Sequence, residues 1–143
     1  MGANLVYLDR PSTQKHTQAG ESKLGYRYAL SSMQGWRLSM EDAHICNENI
    51  DGNGTGLFAI FDGHGGIEAA KFCERHFAAT LLANPNFQKR QFAAALEETF
   101  VELDRLILNN MAEMHAISKE FPPAMTPLKR ASQMQGMKNN KQL

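Results

Sequence analysis

From Leu24 to Met33 ("LGYRYALSSM") apolar and polar positions alternate, with Tyr26, Tyr28 and Leu30 on one face. That period of two predicts a half-buried strand, ended at Gly35. Arg37 to Cys46 ("RLSMEDAHIC") resumes an extended pattern, with Leu38, Met40, Ala43 and Ile45 directed inward. Asn49 to Gly56 ("NIDGNGTG") is dense in turn dipeptides and predicts a hairpin connection. The continuous apolar run Leu57 to Phe61 suits a strand buried on both faces. After Gly66 the period lengthens. Ala69, Phe72, Cys73, Phe77, Thr80 and Leu81 follow helical spacing, which Asn84-Pro85 stops. Phe92, Leu96, Phe100, Leu103, Ile107 and Met111 line one face of a second helix, predicted from about Gln88 to about Ile117.

The flanks differ. Pro11 to Ser22 is polar and aperiodic, so residues 1–23 read as a flexible lead-in. Residues 119–143 hold Pro122, Pro123 and Pro127 and five basic residues against one acid, which reads as an irregular basic tail. The folded part is therefore expected over residues 24–118. Strands precede helices, which argues for an α+β fold with helices packed on one sheet face.

Composition narrows the function classes. The chain has 143 residues, enough for one domain, and 43% are hydrophobic. A net charge of zero supplies no general attraction to nucleic acid or to an anionic membrane. No stretch approaches the roughly 20 apolar residues of a membrane span. The two cysteines, Cys46 and Cys73, form no C-x-x-C pair, and the expectation is free thiols in a reducing compartment, cytoplasmic or also nuclear. Gly2 after Met1 is an acceptor position for N-myristoylation, although Val6 stands where serine or threonine is usual. Lys129-Arg130-Ala131-Ser132 resembles a site for a basophilic kinase, with no phosphate expected by default.

Chemistry concentrates in two short stretches. Glu41 and Asp42 lie in "SMEDAH", and Asp62 closes the apolar strand in "FAIFDGHGG". If those strands pair, the acids meet at one sheet edge, where like charges are costly unless a cation compensates them. All-oxygen donors favour hard divalent ions such as magnesium or manganese. Gly63, Gly65 and Gly66 let the backbone come close to an ion, so that a main-chain carbonyl can serve as a ligand. His64 is a candidate proton donor near neutral pH. Taken singly, each signal has a plainer reading. Asp62-Gly63 is a turn pair, His44 and His64 are structural histidines, Arg37 is a solvated charge, and Trp36 is packing.

Together, "SSMQGWRLSMEDAH" (Ser31 to His44) followed by "FAIFDGHGG" (Phe58 to Gly66) strongly resembles the N-terminal part of the metal-dependent protein serine/threonine phosphatases of the type 2C family. The resemblance implies the first part of a four-layer α-β-β-α sandwich and hydrolysis of phosphoserine and phosphothreonine in protein substrates by a monomer. It implies two ions of magnesium or manganese. Arg37 would bind the substrate phosphate, Glu41 and the Gly63 carbonyl would ligate one metal, and Asp62 would bridge both. Asp42 would orient a water at the metal, and His64 would act as general acid toward the leaving oxygen. The family's later signatures, a "SGTTA"-type strand, a "GDSR" strand and two further aspartates, are not found, and residues 114–143 contain no aspartate. The alternative expectation is therefore a catalytically inactive piece of such an enzyme, acting as a binding or competing module.

Overall fold

The computed structural model describes residues 7–122, in the order β1 (Ser12–Glu21), β2 (Arg27–Gly35), β3 (Ala43–Asn47), β4 (Leu57–Phe61), α1 (Glu68–Ala83), α2 (Pro85–Gln88), α3 (Phe92–Asn109) and α4 (Met111–Glu120). Gly2, Ser132 and most of the basic tail lie outside the described residues. The strands form two separate antiparallel hairpins, β1–β2 and β3–β4.

β1 occupies the stretch that the sequence reads as a lead-in. Ten residues without a large apolar side chain make a strand because β2 supplies a backbone ladder from Glu21↔Arg27 to Ser12↔Gly35, and main-chain bonds need no apolar side chains. The connection is tied by the buried Ser22, whose hydroxyl accepts from Leu24 N and Tyr26 N, and by Gly25 at φ 84°. β2 begins at Arg27, three residues later than the alternation predicts, because Ser22–Gly25 are consumed by this turn.

The two hairpins pack face to face. Tyr26 and Tyr28 reach across to the Phe58 ring, and their hydroxyls donate to the Glu48 main-chain oxygen (2.8 Å) and carboxylate (2.9 Å). Gln18 Nε2 donates to the Cys46 carbonyl. On its other face β3–β4 carries the helices. Leu57 joins Phe77, Leu81, Phe87, Ala95 and Leu103 in the core, with Ile45 and Phe61 against it. The layers run sheet, sheet, helices, an α+β arrangement consistent with part of a larger sandwich.

Three details depart from expectation. β4 is buried on one face only: Phe58 is 47% and Ile60 75% exposed, because an open cavity of about 760 Å³ separates the hairpins on that side. The long second helix is two helices. Asn110 turns its side chain back onto the Leu106 carbonyl (2.7 Å), offering the backbone a non-helical partner where the chain breaks. The buried face of α3 is Ala95, Thr99 and Leu103, whereas Phe92, Leu96, Phe100 and Met111 are exposed. Packing on α1 selects the stripe with small residues, since Ala95 and Thr99 let the two helices approach closely. At the α1 terminus the prediction holds: Asn84 caps α2 by accepting from Asn86 N, with Pro85 in the first helical position.

Candidate metal and phosphate site

The register of β3–β4 assembles the site. Ala43 lies opposite Phe61, and the pairing runs through to Asn47 opposite Leu57. Continuing that count outward sets Asp42 opposite Asp62 and Glu41 opposite Gly63. The geometry at Gly63 agrees: a Cβ there would overlap the Glu41 carbonyl oxygen and lie 3.1 Å from the Gly66 oxygen. Only glycine lets the two chains come this close. Gly65 (φ 75°) and Gly66 (φ 142°) then turn the chain into α1 through left-handed backbone.

The backbones converge more than the carboxylates do. Glu41 and Asp42 stand in a short extended stretch just before β3, outside the strand. Neighbours in extended chain point to opposite sides. Asp42 lines the cavity between the hairpins. Glu41 lines a second cavity, of about 330 Å³, between its own loop, the Gly65-Gly66 turn and the end of α4. Among the described residues no three His, Cys, Asp or Glu side chains converge on one point. The expectation that the acids share one edge thus holds for the main chain, while the side chains are divided between two faces. Asp42, Asp62, His64 and Arg37 are exposed, and Glu41 is partly buried, accepting a hydrogen bond from Ser39 Oγ at 2.8 Å. The Arg37 carbonyl accepts from Gln34 Nε2, which fixes the turn but leaves the guanidinium clear of that bond.

Two residues that the sequence reading passes over belong to the second cavity. Glu68, in the first turn of α1, folds its carboxylate back over Gly66, in the space a Cβ would need. Ser118, near the end of α4, lines the same cavity. The hydrogen bond from Ser118, and secondarily that from its own backbone amide, hold the Glu68 carboxyl below the usual carboxylate range against a smaller opposing effect of burial. An acid two residues beyond Gly-Gly at a helix start was the available signal, since α1 has no side-chain cap on Ile67.

The donors at the hairpin end are all oxygens, which suits a hard divalent cation, and Gly63 provides the close backbone approach that a carbonyl ligand needs. Glu41, Asp62 and the Gly63 carbonyl all lie at this end of the hairpin.

The protein phosphatase 2C family model matches residues 26–120. The chain is similar to "Probable protein phosphatase 2C 5" of Paramecium tetraurelia, at 48% identity over 71% of this chain and 34% of the relative. It is similar to "Protein phosphatase 2C 1" of the same organism, at 47% identity over 71% of this chain and 33% of that protein. "Protein phosphatase 2C homolog 3" of Schizosaccharomyces pombe is 41% identical over 72% of this chain and 26% of its own length. The chain thus spans about a third, or less, of the relatives it matches.

Proposed function

The chain belongs to the protein phosphatase 2C family, and from that premise we propose that it serves hydrolysis of phosphoserine and phosphothreonine in protein substrates. One observation carries the reading beyond family membership. The hairpin register and the close approach at Gly63 bring Glu41, Asp42, Asp62 and Gly63 to one end of the β3–β4 hairpin, with His64 one residue further.

In this reading Glu41, Asp62 and the Gly63 carbonyl hold magnesium or manganese. Bound there, the ion supplies charge neutralisation for phosphoryl oxygens and acidifies a coordinated water. Asp42, on the inter-hairpin side, accepts a hydrogen bond from the attacking water and orients it. Arg37 is exposed on the preceding turn, and its guanidinium fork matches a phosphoryl group. His64 is exposed beside the bend and donates the proton that the departing serine or threonine oxygen requires. We place this chemistry in the cytoplasm and nucleus, on phosphoproteins, by a monomer.

A second reading is a binding module without turnover. It is favoured by the division of the carboxylates between two faces, since affinity for a hard cation follows the number of charged oxygens that reach it. The two readings separate in one assay. The purified chain is given millimolar manganese and p-nitrophenyl phosphate or a phosphothreonine peptide. Manganese-dependent turnover that vanishes in Asp62→Asn supports the phosphatase; no turnover from a cooperatively folded chain supports the module.

A further inference from the structure

α4 is fastened to the first half of α1. His76 Nε2 lies 3.0 Å from both Glu113 carboxylate oxygens, and Arg75 pairs with Glu120 at 2.6 Å. Ile117 is fully buried, and the Lys71 ammonium sits over the Phe121 ring. These contacts fix the end of α4 beside the first turn of α1. There Ser118 and Glu68 line one cavity together with Glu41, Gly65 and Gly66.

We propose that Glu68 is a positioning residue: seated over Gly66 and facing Ser118 in one cavity, it fixes the turn that carries Gly63 and His64. Three observations support it. Gly66 has φ 142°, backbone that L side chains rarely adopt, so the turn needs an outside restraint to stay in one conformation. The Glu68 carboxylate fills the space beside Gly66. α1 lacks a side-chain cap from Ile67, and Glu68 is the acid in its first turn, where negative charge is favoured. The consequence is long-range: α4, more than forty residues away in sequence, holds the loop at the hairpin end. What the turn carries rests on the phosphatase reading, whereas the restraint itself does not.

The test uses the whole chain as wild type, Glu68→Ala, Glu68→Gln and Ser118→Ala. Hydrogen exchange of residues 63–67 is followed by mass spectrometry, and manganese binding by the paramagnetic resonance signal of the free ion. Glu68→Ala is expected to speed exchange in 63–67 about tenfold, with β3–β4 unchanged, by releasing one restraint on the turn. Manganese affinity should weaken about tenfold, the low end for a residue acting behind the ligands. Glu68→Gln keeps an acceptor for Ser118 and should restore both within about threefold. Ser118→Ala, which removes only a hydroxyl, should lie between them and stands in if Glu68→Ala fails to fold. Unchanged exchange in both Glu68→Ala and Ser118→Ala overturns the proposal. So does Glu68→Gln behaving like Glu68→Ala, because the charge itself would then be the metal's partner. If wild type binds no manganese, the phosphatase reading fails, and the exchange result alone decides for or against the restraint.

Discussion

A single methyl group at Gly63 tests how the site is built. Gly63 is not among the glycines with left-handed backbone, so alanine is conformationally admissible there. The obstacle is space. The new Cβ would overlap the Glu41 carbonyl oxygen and press on the Gly66 oxygen, and both are backbone atoms that cannot rotate aside. Relief requires the open end of the hairpin to spread. Overpacking of this kind costs about 1–3 kcal/mol, and rigid neighbours favour the middle of that range or above. For a domain of this size ~2 kcal/mol lowers the melting midpoint by roughly 8 °C. Gly65 provides the internal control. Its φ is 75° and a Cβ there would meet nothing within 4 Å, so Gly65→Ala carries only the left-handed backbone cost of about 1 kcal/mol. Thermal melts by far-ultraviolet circular dichroism rank the two. The reasoning is refuted if Gly63→Ala melts within about 2 °C of wild type, or if Gly65→Ala is the more damaging change.

Three further expectations concern the rest of the molecule. Thr99 is fully buried on α3 and its hydroxyl has no hydrogen-bond partner among the described residues, so Thr99→Val should raise stability by about 1 kcal/mol in urea titrations. Ile60 is 75% exposed beside the inter-hairpin cavity; Ile60→Thr should leave stability within about 0.5 kcal/mol while reducing self-association in sedimentation velocity. Glu48, Asp51 and Glu68 all have folded-state carboxyls held low: Glu48 first by its own backbone amide and then by Tyr28, Asp51 first by Thr55 and then by the Asn53 amide, and Glu68 first by Ser118. Depressed values favour the folded state above the ordinary carboxylate pKa. The urea midpoint should therefore be flat between about pH 7 and 5 and fall below about pH 4.5, less steeply in Ser118→Ala.

What could be read from the chain follows from where its information is local. The hairpin around Asp51 to Gly56, the limits of β4 and the stop at Asn84-Pro85 are written in turn chemistry and short apolar runs, and the structure has them there. β1 is written nowhere in its own residues. Its ten positions, eight of them polar, gain order from the ladder with β2, a long-range cause that a period of apolar residues cannot report. The face of α3 was misread for a related reason. Phe92, Leu96 and Phe100 are the more hydrophobic stripe, but α1 accepts the smaller Ala95 and Thr99, so shape decides over hydrophobicity. At the candidate site, the glycine requirement was legible, whereas the placement of Glu68 and Ser118 depends on the docking of α4, which brings together positions fifty residues apart.

The division of the acids has a simple geometric origin. Side chains along an extended segment alternate, so consecutive Glu41 and Asp42 cannot both face the same side of one hairpin. Asp42 lines the inter-hairpin cavity, whereas Asp62, beyond the end of β4, is exposed. The hairpin thus brings one carboxylate, Asp42, to this cavity, while Glu41 lines the cavity beside the end of α4. A six-coordinate hard ion needs further oxygens from water or from across the cavity. The opposing wall supplied by β2 offers the hydroxyl of Ser32, a neutral donor that stabilises a divalent charge far less than a carboxylate does. An acid introduced on that wall, at Ser32, should therefore tighten manganese binding if the ion occupies the inter-hairpin side. It should have no effect if the ion sits by Glu41 and Glu68. Titration of free manganese against Ser32→Asp distinguishes the two positions, and equal affinity in wild type and variant would place the ion on the α1 side of the hairpin.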